Sequence, residues 1–199
     1  MTRKLAAAAR KRSKPPAKRK VGRSQRYRID RAAEEITFAT GRSVLGPIIV
    51  ASSGKGVVSI MRRQDPDQLL DDLQRRFPNA HLVDGDREDK ALVRRVAEYI
   101  EAPWRSLDLT LDLRGTAFQK RVWKAVREIP PGKTSNYTEV ARKIGSPKAI
   151  RAVGNACATC NLAFVIPCHR VLRSDGTFHG RDLNADEQRR LVEREAGAR

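Results

Sequence analysis

Residues 137–157 read Tyr137-Thr-Glu-Val-Ala-Arg-Lys-Ile-Gly145-Ser-Pro-Lys-Ala-Ile-Arg-Ala-Val-Gly-Asn-Ala-Cys157. The spacing predicts a short helix over Tyr137 to Ile144, closed by Gly145, and a second beginning at Ser146-Pro147, where Ser can cap and Pro suits the first turn. Two short helices meeting at a glycine make a helix-turn-helix candidate. In the second helix Ile150, Val153 and Cys157 fall on one face, while Lys148, Arg151 and Asn155 fall on the other. The first stripe suits a core and the second suits a DNA groove. On pattern alone, an ordinary helical hairpin with a solvated basic face is the stronger reading.

Downstream, Leu162 to Ile166 is a short apolar run, read as a buried strand that delivers Pro167-Cys168-His169-Arg170-Val171. A free thiol has a pKa of about 8.5, so roughly 3% is thiolate at pH 7 unless a neighbour helps. Cys168 has an imidazole and then a guanidinium beside it in the chain, and a carboxylate from elsewhere could orient the imidazole. A buried, inert cysteine is the competing reading.

Upstream, Thr116-Ala-Phe-Gln119 has capping-box spacing, and Phe118, Val122, Trp123 and Val126 share a helical face that ends at Pro130-Pro131-Gly132. Farther back, Gly46 to Ala51 and Gly56 to Ile60 read as strands of a small antiparallel sheet. Asp65 to Phe77 and Asp89 to Ile100 read as amphipathic helices, and Thr110, Leu111 and Leu113 as one more strand. The expected organisation is a basic arm over 1–32 that is disordered when free, an α/β domain over 33–113, and a mainly helical domain over 114–199.

Charge points to the partner. Across 199 residues, 41 Lys and Arg face 23 Asp and Glu, a formal charge of +18. Residues 1–28 hold 12 of the basic side chains and no acid, leaving 29 against 23, or +6, for the rest. A basic arm before a mildly basic body favours a polyanion. A solubilising or organelle-targeting tail remains an alternative for the arm. No apolar run approaches the roughly 18 residues a membrane helix needs, and Leu5 to Ala9 is too brief for a secretory signal. Three cysteines, an odd number, suit a reducing compartment. With three scattered histidines they lack zinc-finger spacing, so no metal is expected.

Ile166-Pro-Cys-His-Arg-Val171, preceded by Ser146-Pro-Lys-Ala-Ile-Arg-Ala-Val-Gly154 and Gly115-Thr-Ala-Phe-Gln119, resembles the 6-O-alkylguanine-DNA alkyltransferase family. The likeness extends over about Ile36 to Glu195 and is strongest to bacterial members and the C-terminal half of Ada. It implies a ribonuclease H-like α/β unit followed by a winged helix-turn-helix domain. It also implies direct repair: a methyl or larger alkyl group leaves O6 of guanine, or O4 of thymine, for a cysteine, with one protein consumed per lesion and no cofactor. Carried over, Cys168 is the nucleophile, His169 the base acting through a water, and Glu195 the group orienting His169. Arg151 enters the duplex behind the flipped base. Tyr137 bears on the neighbouring phosphate and the guanine ring, and Thr138, Ser146 and Ser174 contact the backbone of the DNA. Val171 offers its carbonyl to guanine, and His179 lies in the loop walling the pocket. The implied partner is double-stranded DNA carrying alkylated guanine, met by a monomer in the bacterial cytoplasm, at the nucleoid.

The chain departs from the family pattern in two places. Cys160 stands where the family has an asparagine under the site, with Asn161 one place later as a substitute, and Phe178-His-Gly-Arg-Asp-Leu183 replaces the usual small lid residues. Cys157 and Cys160 have Cys-x-x-Cys spacing, read as a chance pairing because no thioredoxin-like βαβ context surrounds them. Rival readings are a non-repairing alkylguanine sensor, against which Cys168 argues, a helix-turn-helix regulator with a structural cysteine, and a thiol oxidoreductase.

Overall fold

The computed structural model describes residues 34–178 and 183–197. The arm and His179 lie outside them. Strands β1 (Glu35–Ser43), β2 (Gly46–Ser53) and β3 (Gly56–Arg62) form an antiparallel meander. Helix α1 (Asp67–Arg76) then carries the chain across the sheet to β4 (His81–Asp84), which pairs in parallel with β1, giving the order β3-β2-β1-β4. The expected antiparallel sheet is thus a mixed one. The pattern of β4 is too short to announce itself, since only two of its four residues are even half-buried.

Alternation along β2 explains the layering. Ile48 and Val50 join Ala39, Val57 and Ile60 in a core shared with Val93, Val96 and Ile100 of α2 (Arg87–Glu101). Ile49 and Ala51 turn to the opposite face, against Leu69, Leu73 and Phe77 of α1. A sheet covered on both faces reads as continuous apolar runs, which is why Gly46 to Ala51 shows no polar alternation. Asp86 caps α2 through the Glu88 and Asp89 amides.

The core continues into the second half of the chain without interruption. Helix α3 (Ala117–Arg127) has the expected capping box between Thr116 and Gln119, and it buries Val122, Trp123, Ala125 and Val126. Strand β5 (Ser135–Asn136) leads directly into α4 (Tyr137–Lys143), capped by Asn136 with Glu139 in a second capping box. A turn at Gly145, where φ is +69° and a side chain would be strained, leads to α5 (Ile150–Ala158). Trp123 donates its indole N–H to the Ala156 carbonyl at 2.8 Å and so fixes α5 on α3. Helix α5 begins four residues after Ser146, because Ser146 to Ala149 make a turn closed by the Ala149 amide on the Ser146 carbonyl. Val153 and Cys157 are buried as expected, but Ile150 is exposed and does not join the core stripe. Lys148, Arg151 and Asn155 are exposed.

Two predicted strands are not formed. Thr110 to Leu113 makes only a single parallel bridge, Leu111 to Val57. Leu162 to Ile166 folds into a tight turn with bridges Ile60 to Leu162 and Ala163 to Ile166, and Phe164 takes φ +68°. Burial of Leu162, Phe164 and Ile166 produced the strand-like apolar run. Both segments lie against β3, so the edge of the sheet is covered rather than left open to pairing with another chain.

Candidate active site

Three long-range restraints hold the Pro167-Cys168-His169-Arg170 segment. The turn before it is fastened to the sheet edge by the Ile60 amide on the Asn161 carbonyl at 2.7 Å and the Ala163 amide on the Ile60 carbonyl at 3.1 Å. The segment itself is a single 3-10 turn over Cys168–Arg170. It runs into β6 (Val171–Leu172), which pairs in parallel with β5 in the register Ser135 to Val171 and Asn136 to Leu172. Tyr137, the first residue of α4, follows this short pairing directly, and the Cys168 sulfur lies near enough to act on its phenol.

The C-terminal helix α6 (Ala185–Gly197) supplies the carboxylate. Glu195 Oε1 lies 2.9 Å from His169 Nε2, with both side chains almost wholly buried. Arg170 donates from Nε to Glu195 Oε2 at 2.8 Å and from Nη2 to Oε1 at 3.0 Å, and its Nη1 donates to the Ile129 carbonyl at 2.7 Å. The Gly132 amide adds a fourth donor, 3.0 Å from Glu195 Oε2. Burial opposes the charge on Glu195, but the bonds from His169, Arg170 and Gly132 outweigh it and hold the pKa down at about 2.

Those donors decide the tautomer of the histidine. An ionised carboxylate only accepts, so His169 Nε2 carries the proton and Nδ1 keeps its lone pair while the ring is neutral. Burial lowers the His169 pKa against the raising effect of Glu195, with the Arg170 charge adding to the lowering. The ring is therefore a neutral base at pH 7.

Cys168 is half-buried and in its resting state a thiol. Hydrogen bonds with Cys157 and Cys160, together with burial, raise its pKa well above the ordinary value. Burial and the neighbouring Cys157 and Cys168 sulfurs push the Tyr137 phenol up to about 12, so it stays protonated. Among the described residues no group of three or more His, Cys, Asp or Glu is arranged to hold a metal ion.

Cys168, His169, Glu195 and Tyr137 thus come together, with the buried Val171 following the turn. Thr138 is half-buried on α4, Ser146 half-buried in the turn before α5, and Arg151 and Ser174 are exposed. Arg170, offered by its position as a support for the thiolate, instead turns its guanidinium to Glu195 and Ile129. The Asn161 side-chain oxygen accepts from Arg76 Nη1 at 2.9 Å, tying the turn to α1. Sequence reading missed Gly132 and Tyr99. Tyr99, on α2, lies near enough for the Arg170 and Glu195 charges to act on its half-buried phenol, whose pKa burial raises, and so brings the first half of the chain to the network. The Pro130-Pro131-Gly132 break was visible as a helix end, but not as a donor.

Gly132 also gives a stability prediction. Its φ is +71°, and an added Cβ would lie 2.6 Å from Ala196 Cα. Gly132→Ala is expected to cost about 2 kcal/mol or more, from the left-handed backbone and the overlap together. The denaturant midpoint measures it, and an unchanged midpoint would mean that the loop and α6 give way freely.

The family described as "6-O-methylguanine DNA methyltransferase, DNA binding domain" matches residues 117–197. The crystal structure of Mycobacterium tuberculosis O6-methylguanine methyltransferase aligns with TM-score 0.67 and 32% identity, over 82% of this chain and 94% of that one. Another from the same organism, solved in complex with DNA, aligns with TM-score 0.66 and 32% identity over the same shares. The mixed sheet followed by a helical C-terminal part is the fold of these methyltransferases.

Among curated relatives, Ada of Escherichia coli, a bifunctional transcriptional activator and DNA repair enzyme, is 42% identical over 161 residues, 81% of this chain and 46% of Ada. The methylated-DNA–protein-cysteine methyltransferase of Methanosarcina barkeri is 39% identical over 138 residues, 69% of this chain and 83% of that protein. The chain spans less than half the length of the Ada proteins it matches, 46% in each. It belongs to the 6-O-methylguanine-DNA methyltransferase family.

Proposed function

We propose that the protein repairs DNA directly, moving a methyl or larger alkyl group from O6 of guanine, or O4 of thymine, to Cys168 and being consumed in the act. The observation that carries this reading is the buried His169–Glu195–Arg170 network behind a half-exposed cysteine. His169 Nδ1 takes the Cys168 proton through a water, and Glu195 steadies the imidazolium that results. The sulfur attacks the alkyl carbon, the C–S bond forms as the C–O6 bond breaks, and the electron pair leaves with the guanine, which takes up a proton. A neutral cysteine pocket suits this chemistry, because the thiolate is made only when a proton acceptor and an alkyl carbon are both in place.

The alkylated oxygen lies on a base edge inside the stack, so the nucleotide is flipped out at a cost of a few kcal/mol, less where the lesion weakens pairing. In this reading Arg151 enters the duplex, Tyr137 meets the adjacent phosphate and the guanine ring, and Thr138, Ser146 and Ser174 hold the DNA backbone. The Val171 carbonyl and His179 are assigned to binding of the extruded base. The segment over 114–199 is the DNA-binding and catalytic domain, of winged helix-turn-helix type. The segment over 33–113, of ribonuclease H-like type, is its scaffold. The protein acts as a monomer at the nucleoid of a bacterial cytoplasm. The test is intact mass after incubation with an oligonucleotide containing O6-methylguanine: one added methyl, mapped to Cys168, is expected, and an unmodified protein would refute the reading.

Two further results are expected. Arg151→Ala should slow transfer from duplex DNA by roughly ten- to a hundredfold, while reaction with free O6-benzylguanine, which needs no extrusion, is nearly unchanged. Equal losses on both substrates would remove Arg151 from the flipping step. Deleting residues 1–28, with their 12 basic side chains, should flatten the dependence of log affinity on log salt by about 0.9 for each phosphate that the arm no longer neutralises. A slope that stays put would make the arm a solubility or targeting tail.

A further inference from the structure

Helix α6 carries Glu195, and both of its ends are fastened to the first half of the chain. At its start stands Arg62, the last residue of β3, which is only 8% exposed although charged. Its Nη2 lies 2.7 Å from Glu187 Oε1, its Nη1 donates to Glu187 Oε2 at 3.0 Å, and its Nε donates to the Leu45 carbonyl at 2.8 Å. Glu187 belongs to the first turn of α6 and also closes it. Its Oε2 accepts from the Asn184 amide at 2.9 Å, and its own amide donates to Asn184 Oδ1 at 2.9 Å. One guanidinium thus joins the turn between β1 and β2 to the capping box of α6. Near the other end, Arg194 Nη2 donates to the carbonyl of Glu101, the last residue of α2, at 2.9 Å. The transfer chemistry proposed above gives Arg62 and Glu187 no part.

We propose that Arg62 is a positioning residue: through Glu187 it sets the axial position and rotation of α6, and thereby the approach of Glu195 to His169 Nε2. Glu195 follows Glu187 by eight residues, about 12 Å along a helix axis, and Gln188, Leu191 and Glu195 form one buried face over that length. A bidentate pair of guanidinium and carboxylate fixes direction as well as distance. Water in its place would leave the start of the helix free to turn. A rotation of about 10–20° or a slide of about 0.5 Å is enough to spoil a catalytic contact, and Glu195, 2.9 Å from His169 Nε2, is the acceptor that fixes the histidine tautomer. The four donors on Glu195 limit how far it strays, so release of Arg62 loosens the network rather than dismantling it. A purely structural tie would lower stability and leave the His169–Glu195 bond of the folded protein as it is. The effect on alkyl transfer, unlike the effect on that bond, rests on the proposed function.

The test uses the full chain carrying Arg62→Met, Glu187→Gln or both, each held well below its melting temperature. Proton NMR reads the His169 Nε2–H, which, bonded to a buried carboxylate, resonates at low field and exchanges slowly with water. Its absence in His169→Asn assigns it. In either single variant this signal is expected to move upfield and to exchange faster. Methyl transfer from O6-methylguanine DNA and benzyl transfer from free O6-benzylguanine should slow by the same factor, roughly two- to thirtyfold, because the fault lies in the base and not in the grip on DNA. The double variant should be no slower than the worse single one, since each change removes the same pair. Arg62→Lys, which keeps the charge, should recover part of both readings, and Glu187→Gln, which keeps a capping box, serves if Arg62→Met folds poorly. A lowered melting temperature with the His169 signal and the rates unchanged, additive losses in the double variant, or no low-field signal in the parent would overturn the proposal. The signal is read without substrate, so a parent that transfers no alkyl group would refute the proposed function and leave this test standing.

Discussion

Cys168→Ser is expected to take up no methyl group while binding methylated duplex DNA about as tightly as the parent. The change removes a sulfur that sits at the foot of the site, yet it leaves α4, α5 and the exposed Arg151 as they are. A serine hydroxyl is far less acidic than a thiol, and a neutral imidazole cannot ionise it to a useful degree. Serine is also smaller, so its hydroxyl stands farther from an alkyl carbon placed for sulfur. Intact mass with a methylated oligonucleotide measures the first half of the expectation and a mobility shift measures the second. Transfer surviving near the parent rate would assign the acceptor role to Cys157 or Cys160, the other two free cysteines.

Glu195→Gln comes next in size, because it strikes stability and chemistry together. Four donors converge on this carboxylate: His169 Nε2, Arg170 Nε, Arg170 Nη2 and the Gly132 amide. An amide presents one acceptor oxygen and a donor NH₂, so at least one buried donor is left facing a donor and the Arg170 charge is left without its counter-charge. Breaking such a pair costs about 3–5 kcal/mol. The histidine also loses the partner that fixes its tautomer, and transfer should slow by roughly a hundredfold or more. An unchanged melting temperature in this variant would contradict the buried network.

The same carboxylate sets part of the response to acid. Its folded pKa of about 2 lies below the ordinary carboxylate value. The unfolded chain therefore binds more protons between the two, and stability falls as pH drops through that window. The contribution of Glu195 is complete above about pH 4.3 and is lost toward pH 2. His169, whose folded pKa is also lowered, begins to subtract earlier, as the unfolded imidazole protonates near its ordinary value of about 6.5. In Glu195→Gln the steep loss between about pH 4 and 2 should be shallower, as seen in melting temperature against pH.

The basic arm, the capped helix at Thr116, the helix pair around Gly145 and the Cys168-His169 pair were all legible in the residues. Each is a local signal: a charge count, a side chain reaching an amide three residues on, a 3.6-residue period, two neighbours in the chain. Such terms depend little on the rest of the molecule, so α3 and α4 appear where the pattern put them. The interaction partners of these elements were not legible, because each is reached across a long stretch of chain. Leu162 to Ile166 is as apolar as a strand, yet it becomes a turn because its amides close back on itself, Val165 on the Ala163 carbonyl and Ile166 on the Leu162 carbonyl, with Phe164 at positive φ and only the Ala163 amide reaching the sheet at Ile60. Arg170 sits next to the His169-Cys168 pair in sequence but turns away from it, since a buried guanidinium needs a counter-charge and the one available is on α6. Asn161 is drawn to Arg76 across 85 residues, its side-chain oxygen accepting from the guanidinium. The sequence by itself determined which helices form and which side chains carry chemistry. Only the tertiary structure decided what each of those side chains touches, because a buried charge or thiol takes its partner from whatever the packing of distant segments brings within reach.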